Sequence, residues 1–149
     1  MAYFGKRSSS TLATCHEDLR VTMEAVVLIR DCSIICGIRT KKEQDAAFDL
    51  GNSKVKWPSS KHNITAQRSV SHAVDIVPWP EQYTDRIAMI YLAGVVLGVA
   101  ETLYRKGTIN HKIRWGGDWD MDRNMKNNKF DDLWHFELRE CYYCIYAVS

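Results

Sequence analysis

Five histidines, His16, His62, His72, His111 and His135, supply the imidazoles of this 149-residue chain. No HExxH pair is among them, which excludes the helical zincin arrangement. Three segments hold the other residues that can do chemistry: Ser60-Lys61-His62, Ala73-Val74-Asp75, and Asp132-Leu133-Trp134-His135-Phe136-Glu137-Leu138. Two histidines and one carboxylate make the ligand set of a catalytic zinc site, which keeps a fourth position open for water. Such a site also needs a general base close to that water. Asp132 can serve if the chain turns between it and His135, three residues on. On a strand, Glu137 shares a face with His135 and can orient it from behind. Spacing alone leaves the matter open, because a histidine between Trp134 and Phe136 also reads as a partly buried, hydrogen-bonded core residue.

Two further groups compete for attention. Cys32-x3-Cys36 with Cys141-x2-Cys144 offers a four-thiolate zinc site, yet Ile, Tyr and Val surround these cysteines and free thiols are common core residues. The odd count of five cysteines, with no visible secretion signal, argues against a disulfide framework. Asp118, Asp120 and Asp122 resemble the start of an EF-hand loop. Arg123 stands where that loop needs Gly and Lys129 where it needs Glu, leaving a looser calcium site or a solvated acidic loop.

The elements that must position these residues follow from pattern. Ser8 to Thr11 offer N-caps for a helix through about Arg30, with Leu12, Cys15, Leu19, Met23, Val26 and Val27 as its apolar stripe. Ser33–Ile38 predicts a short buried strand, and Lys41–Leu50 a helix closed by Gly51. Asn52–Ser71 is polar and irregular, and loops of that length are usually functional or mobile. His72–Val77 predicts a strand stopped by Pro78 and Pro80. A long helix over Glu81–Lys106 is apolar on all sides at its middle, which predicts deep burial. Lys112–Trp115 and Leu133–Leu138 predict two more strands. Helices and short strands without regular βαβ alternation give an α+β domain.

Bulk properties narrow the function. The chain is 46% hydrophobic with a formal charge of +2, enough for a core and too little for the basic patch of a nucleic-acid binder. The longest uncharged apolar run, Ile87–Ala100, has 14 residues, short of the roughly 18 of a membrane span. No leader segment is visible at Met1–Ser10.

The order of the fragments resembles the zinc peptidases that include D-alanyl-D-alanine carboxypeptidases of the VanY type and phage L-alanyl-D-glutamate endolysins. The S-x-H block appears as Ser60-Lys61-His62, the G-x-A-x-D block as Ser71 to Asp75, and the D/E-x-x-H block as Asp132 to His135. Gly37-Ile38-Arg39-Thr40 with Gln44, Leu50 to Lys54, and Trp115-Gly116-Gly117-Asp118-Trp119 also match. There are two departures. Ser71 replaces a glycine, and His62 lies thirteen positions before Asp75, more than is usual in the family. An insertion over about Asn63–Val70 accounts for this and leaves His72 as an alternative to His62.

The resemblance implies a LAS-type (hedgehog/DD-peptidase-like) fold, a small antiparallel sheet packed against helices. It implies one zinc per chain on His62, Asp75 and His135, with Asp132 as general base, Arg39 on the substrate oxygen and Glu137 behind a ligand. The implied substrate is bacterial peptidoglycan, cut as an L-alanyl-D-glutamate endopeptidase. The alternatives are a D-alanyl-D-alanine carboxypeptidase and a non-catalytic wall-binding module. The expected organisation is one catalytic domain over 1–149 without a separate wall-binding domain, monomeric, with no nucleic acid and no membrane insertion. Such a phage lysin waits in the host cytoplasm until release.

Overall fold

A computed structural model describes residues 1–139. Cys141 and Cys144, half of the four-thiolate set, lie outside the described residues. Burial pushes the thiols of Cys15 and Cys32 up to about 12, so these two sit in the core as neutral groups.

The predicted first helix is two. α1 spans Lys6–Leu12 and α2 spans Glu17–Val27. Between them the Thr14 hydroxyl donates back to the Thr11 carbonyl at 2.7 Å, the kind of side-chain bond that competes with a helix. The chain there pairs instead with Ser71: His16 N–H donates to the Ser71 carbonyl and Ser71 N–H to that of Thr14. His16 then caps α2, its Nδ1 accepting from Asp18 N–H. The apolar stripe holds on α2, where Leu19, Met23 and Val26 are fully buried.

The other elements follow the sequence closely. β1 is Cys32–Cys36, and α3 is Lys41–Asp49, opened by a reciprocal Thr40–Glu43 capping box. β2 is Ala73–Pro78, β3 Lys112–Gly116 and β4 Asp132–Arg139. The four strands form one sheet in the order β1-β2-β4-β3, every pair antiparallel. Residues 52–71 contain no helix or strand, as their composition predicts.

α4, Arg86–Arg105, starts at its Asp85 cap and not at Glu81. The expected deep burial holds for one face only. Met89, Leu92, Ala93, Val96 and Ala100 are buried in the core shared with α2 and the sheet, while Ile87 and Tyr91 are 81% and 65% exposed. Its length and apolar composition would suit a membrane span. One face of it nevertheless packs on α2, β2, β3 and β4, the position of a core helix.

Asp18 ties α2 to the approach to β3. Its Oδ2 accepts the backbone N–H of Asn110 and His111 and the His111 Nδ1–H at 2.7 Å. Burial works against its charge, but these bonds outweigh it and hold the carboxyl below its ordinary 3.8. A depressed folded pKa contributes stability that is complete above the unfolded value and fades as pH falls through the folded one. Asp18→Asn should therefore cost on the order of 2 kcal/mol at neutral pH. In urea unfolding its gap from wild type should narrow below about pH 3.8. A gap constant down to acid pH would sink this account.

Candidate active site

β2 and β4 are neighbours, and Asp75 lies opposite His135 in their register. Directly opposed residues on antiparallel strands present their side chains on one face. His62 arrives from the long loop, which is pinned at that point. Its N–H donates to Ser60 Oγ, its carbonyl accepts from Arg39 N–H, and His72 N–H bonds the Lys61 carbonyl. Three atoms then converge: His62 Nε2, His135 Nδ1 and Asp75 Oδ1, each pair 3.1 Å apart.

The outer partners fix which ring nitrogens carry hydrogen. His62 Nδ1 lies 2.7 Å from the Gly37 carbonyl, which can only accept, so Nδ1 holds the proton and Nε2 a lone pair. His135 Nε2 lies 2.9 Å from Glu137 Oε2, so its Nδ1 is the bare nitrogen. With both rings neutral, three acceptor atoms face one point, an arrangement that calls for a proton or a metal ion there. Ligands 2.0–2.2 Å from a tetrahedral zinc ion would stand about 3.3 Å from one another. The donor set, spacing and tautomers fit zinc. The other imidazole cluster does not ask for a cation in this way, because His16 Nδ1 accepts from Asp18 N–H and His111 Nδ1 donates to Asp18.

The electrostatics make the point between the two rings favourable for positive charge, either a proton on an imidazole or a metal ion in its place. Burial opposes charge on His62, but Asp75 outweighs it and raises the imidazole to about 10. His135 is raised in the same way by Asp75 and Glu137 against its burial. Asp75, though buried, is held far below the ordinary carboxylate range by the two histidines. Glu137 is lowered to about 2, its burial outweighed by His135 and Arg114.

Asp132 enters this site through a bulge. Trp115 pairs with Phe136 but the next residue, Gly116, pairs with Asp132, so 133–135 arch away from β3 while His135 keeps its place opposite Asp75 on β2. The Trp115 indole N–H donates to the Leu133 carbonyl within that arch. This is the turn that Asp132 requires to work beside His135. Gly116 permits it, since a Cβ there would collide with the Asp132 carbonyl. Burial, then the charge of Asp75, raise the Asp132 carboxyl, against the pull of His135, His62 and Arg39.

Arg39 lines the same cleft. Its Nη2 donates to Asp75 Oδ2 at 3.1 Å and its Nη1 to Gln44 Oε1 at 3.2 Å. His72 is not in the cluster; its ring packs on His16, 5.2 Å between centroids. Asp118, Asp120 and Asp122 bring oxygens within 4.8 Å of one another. These oxygens accept the N–H groups of Asp122, Arg123 and Asn124 and the Asn127 amide, as in a tight polar turn.

Several supporting residues were given no role in the sequence reading. Gln44, fully buried on the polar helix α3, joins Arg39 to Ser53 and the Val55 carbonyl. Its place among charged neighbours carried no signal beyond a motif match. Buried Asn63 accepts Ser60 N–H and donates to the Arg39 carbonyl. Arg114 grips Glu137 Oε1 and the Trp119 carbonyl, and Trp119 lies 5.6 Å from the His135 ring. Arg114 and Trp119 line a cleft of about 580 Å³ with Arg39, His62, Asp132, His135 and Glu137.

The family model for phage L-alanyl-D-glutamate peptidases matches residues 1–139. The chain belongs to this family. It is thus a peptidase of the bacterial cell wall, with peptidoglycan stem peptide as its substrate. No curated protein matches the sequence. The peptidase shares its α+β fold with the Serratia marcescens L-Ala D-Glu endopeptidase ChiX. That structure superposes with a TM-score of 0.67 at 23% identity, covering 91% of this chain and 89% of ChiX.

Proposed function

We propose that this peptidase hydrolyses the L-alanyl-D-glutamate amide with one zinc ion held by His62, Asp75 and His135. The observation that carries the reading is the meeting of three bare acceptor atoms at 3.1 Å, in tautomers set from behind. Zinc bound there supplies a Lewis acid and makes water acidic enough to attack at neutral pH.

The chain's own residues do the rest. Asp132 takes the proton of the attacking water on a carboxylate oxygen and passes it to the departing amine. Arg39 holds Asp75 in place and offers its remaining N–H groups to the substrate carbonyl as negative charge develops. Glu137, fixed by Arg114, keeps the His135 ring turned with Nδ1 forward. The enzyme works as a monomer. A phage enzyme of this kind stays in the host cytoplasm until a membrane-permeabilising partner lets it reach the wall.

Purified protein should carry about one zinc per chain, and chelation should abolish digestion of peptidoglycan. Mass spectrometry of the digest should show new L-alanine carboxyl ends and new D-glutamate amino ends. Zinc-free protein whose lysis survives chelator would overturn the proposal.

A further inference from the structure

The cations lining the cleft fall into two groups. Arg39 and Arg114 are tied to Asp75 and Glu137. Lys54, Lys61 and Lys129 also line the cleft and, among the described residues, none has an ion-pair partner. Lys54 differs from the other two in being held. Its Nζ lies 4.9 Å from the centroid of the Phe130 ring. Phe130 is stacked on Trp119 at 6.4 Å with 14° between the planes, and Trp119 lies 5.6 Å from the His135 ring. The three aromatic contacts form a continuous wall from the proposed metal centre to a preset ammonium group. An ammonium over an aromatic face loses little of its capacity to bind an anion, because the ring leaves its N–H donors free on the other side.

The substrate has the matching charge. In a stem peptide the D-glutamate continues through its side-chain carboxyl, so its main-chain carboxylate stays free beside the amide that is cut. In many walls the diamino acid that follows carries another. We infer that Lys54 is a specificity-determining residue that binds a free carboxylate on the leaving-amine side of the cut. The inference rests on the endopeptidase reading of the cleft. It makes the enzyme a selector of acidic over amidated stem peptides, because an amide in place of the carboxylate removes the charge that Lys54 meets.

Purified zinc-loaded enzyme can be tested on synthetic stem peptides in two arms. One pair differs only in D-glutamate against its main-chain amide; the other differs only in a diamino acid with or without its extra carboxylate. In at least one arm, wild type should favour the acid by about tenfold in kcat/KM, the scale of one charge-assisted hydrogen bond. Lys54→Met keeps the stem over Phe130 and should erase that preference by slowing the acid only, with zinc content unchanged. Lys54→Arg should restore it. Equal cleavage in both pairs by wild type, or an intact preference in Lys54→Met, would overturn the inference and leave the endopeptidase reading standing. If wild type cuts none of the peptides, both fall.

Discussion

His62→Ala should strip the peptidase of zinc and of activity, while His72→Ala should keep both. The loss in zinc affinity should exceed the roughly 100-fold upper range seen when an outer partner of a ligand is removed, since a direct ligand is lost. The two histidines are separated by what faces them. His62 Nε2 points at Asp75 and His135, and its other nitrogen is anchored on Gly37. His72 precedes β2, three residues from Asp75, and on a strand residues three apart face opposite ways. Its ring sits against His16, and burial followed by the nearby His16, Arg68 and Lys61 lowers it to about 4. It is therefore neutral at physiological pH and remote from the cluster. Metal analysis and wall digestion on the two variants decide the matter. Zinc lost from His72→Ala and kept by His62→Ala would assign the ligand to His72.

Asp132→Asn should keep its zinc and lose on the order of 10²-fold to 10⁴-fold in rate. The amide is nearly isosteric, so the arch of β4 and the three ligand atoms are left in place. What disappears is the proton acceptor. The ionised carboxylate is the working form, so turnover should fall as pH drops and Asp132 takes up a proton. Turnover near normal in the variant would move the base elsewhere. Glu137, the next carboxylate, is already bound to His135 and Arg114. Zinc lost from the variant would make Asp132 a ligand.

The parts of this molecule legible in the sequence are those set by short-range pattern. A short apolar run stopped by Pro78 and Pro80 marked β2, and Ala73 and Asp75, two apart, share a face of it. Thr40 and Glu43 stand at capping-box spacing at the start of α3. Long-range contacts were not legible. Nothing local in 13–16 announces that Thr14 and His16 will pair with Ser71 and break a helix that its own stripe favours. The apolar residues of α4 outnumber the places the sheet can cover, so Ile87 and Tyr91 stay in solvent despite their type. Buried polar residues such as Gln44 and Asn63 look like surface in sequence, because only the fold supplies the partners that make their burial tolerable. The arch in β4 depends on a backbone approach at Gly116 that no periodicity encodes.

The contact between Gly37 and Thr14 bears on how small such an enzyme can become. A Cβ at Gly37 would collide with Thr14 Oγ1 and come within 2.7 Å of the Thr11 carbonyl, and Thr14 Oγ1 accepts the Ile38 N–H at 3.0 Å. The end of α1 is thus the wall against which the Gly37 peptide rests, and the carbonyl of that peptide turns the His62 ring. The first fourteen residues supply no ligand and no base, so they look expendable to anyone trimming the lysin to a minimal catalytic piece. They are part of the mould that sets the His62 nitrogen facing Asp75 and His135. A shortened enzyme that still folds would hold His62 loosely and would need more zinc in its medium to work.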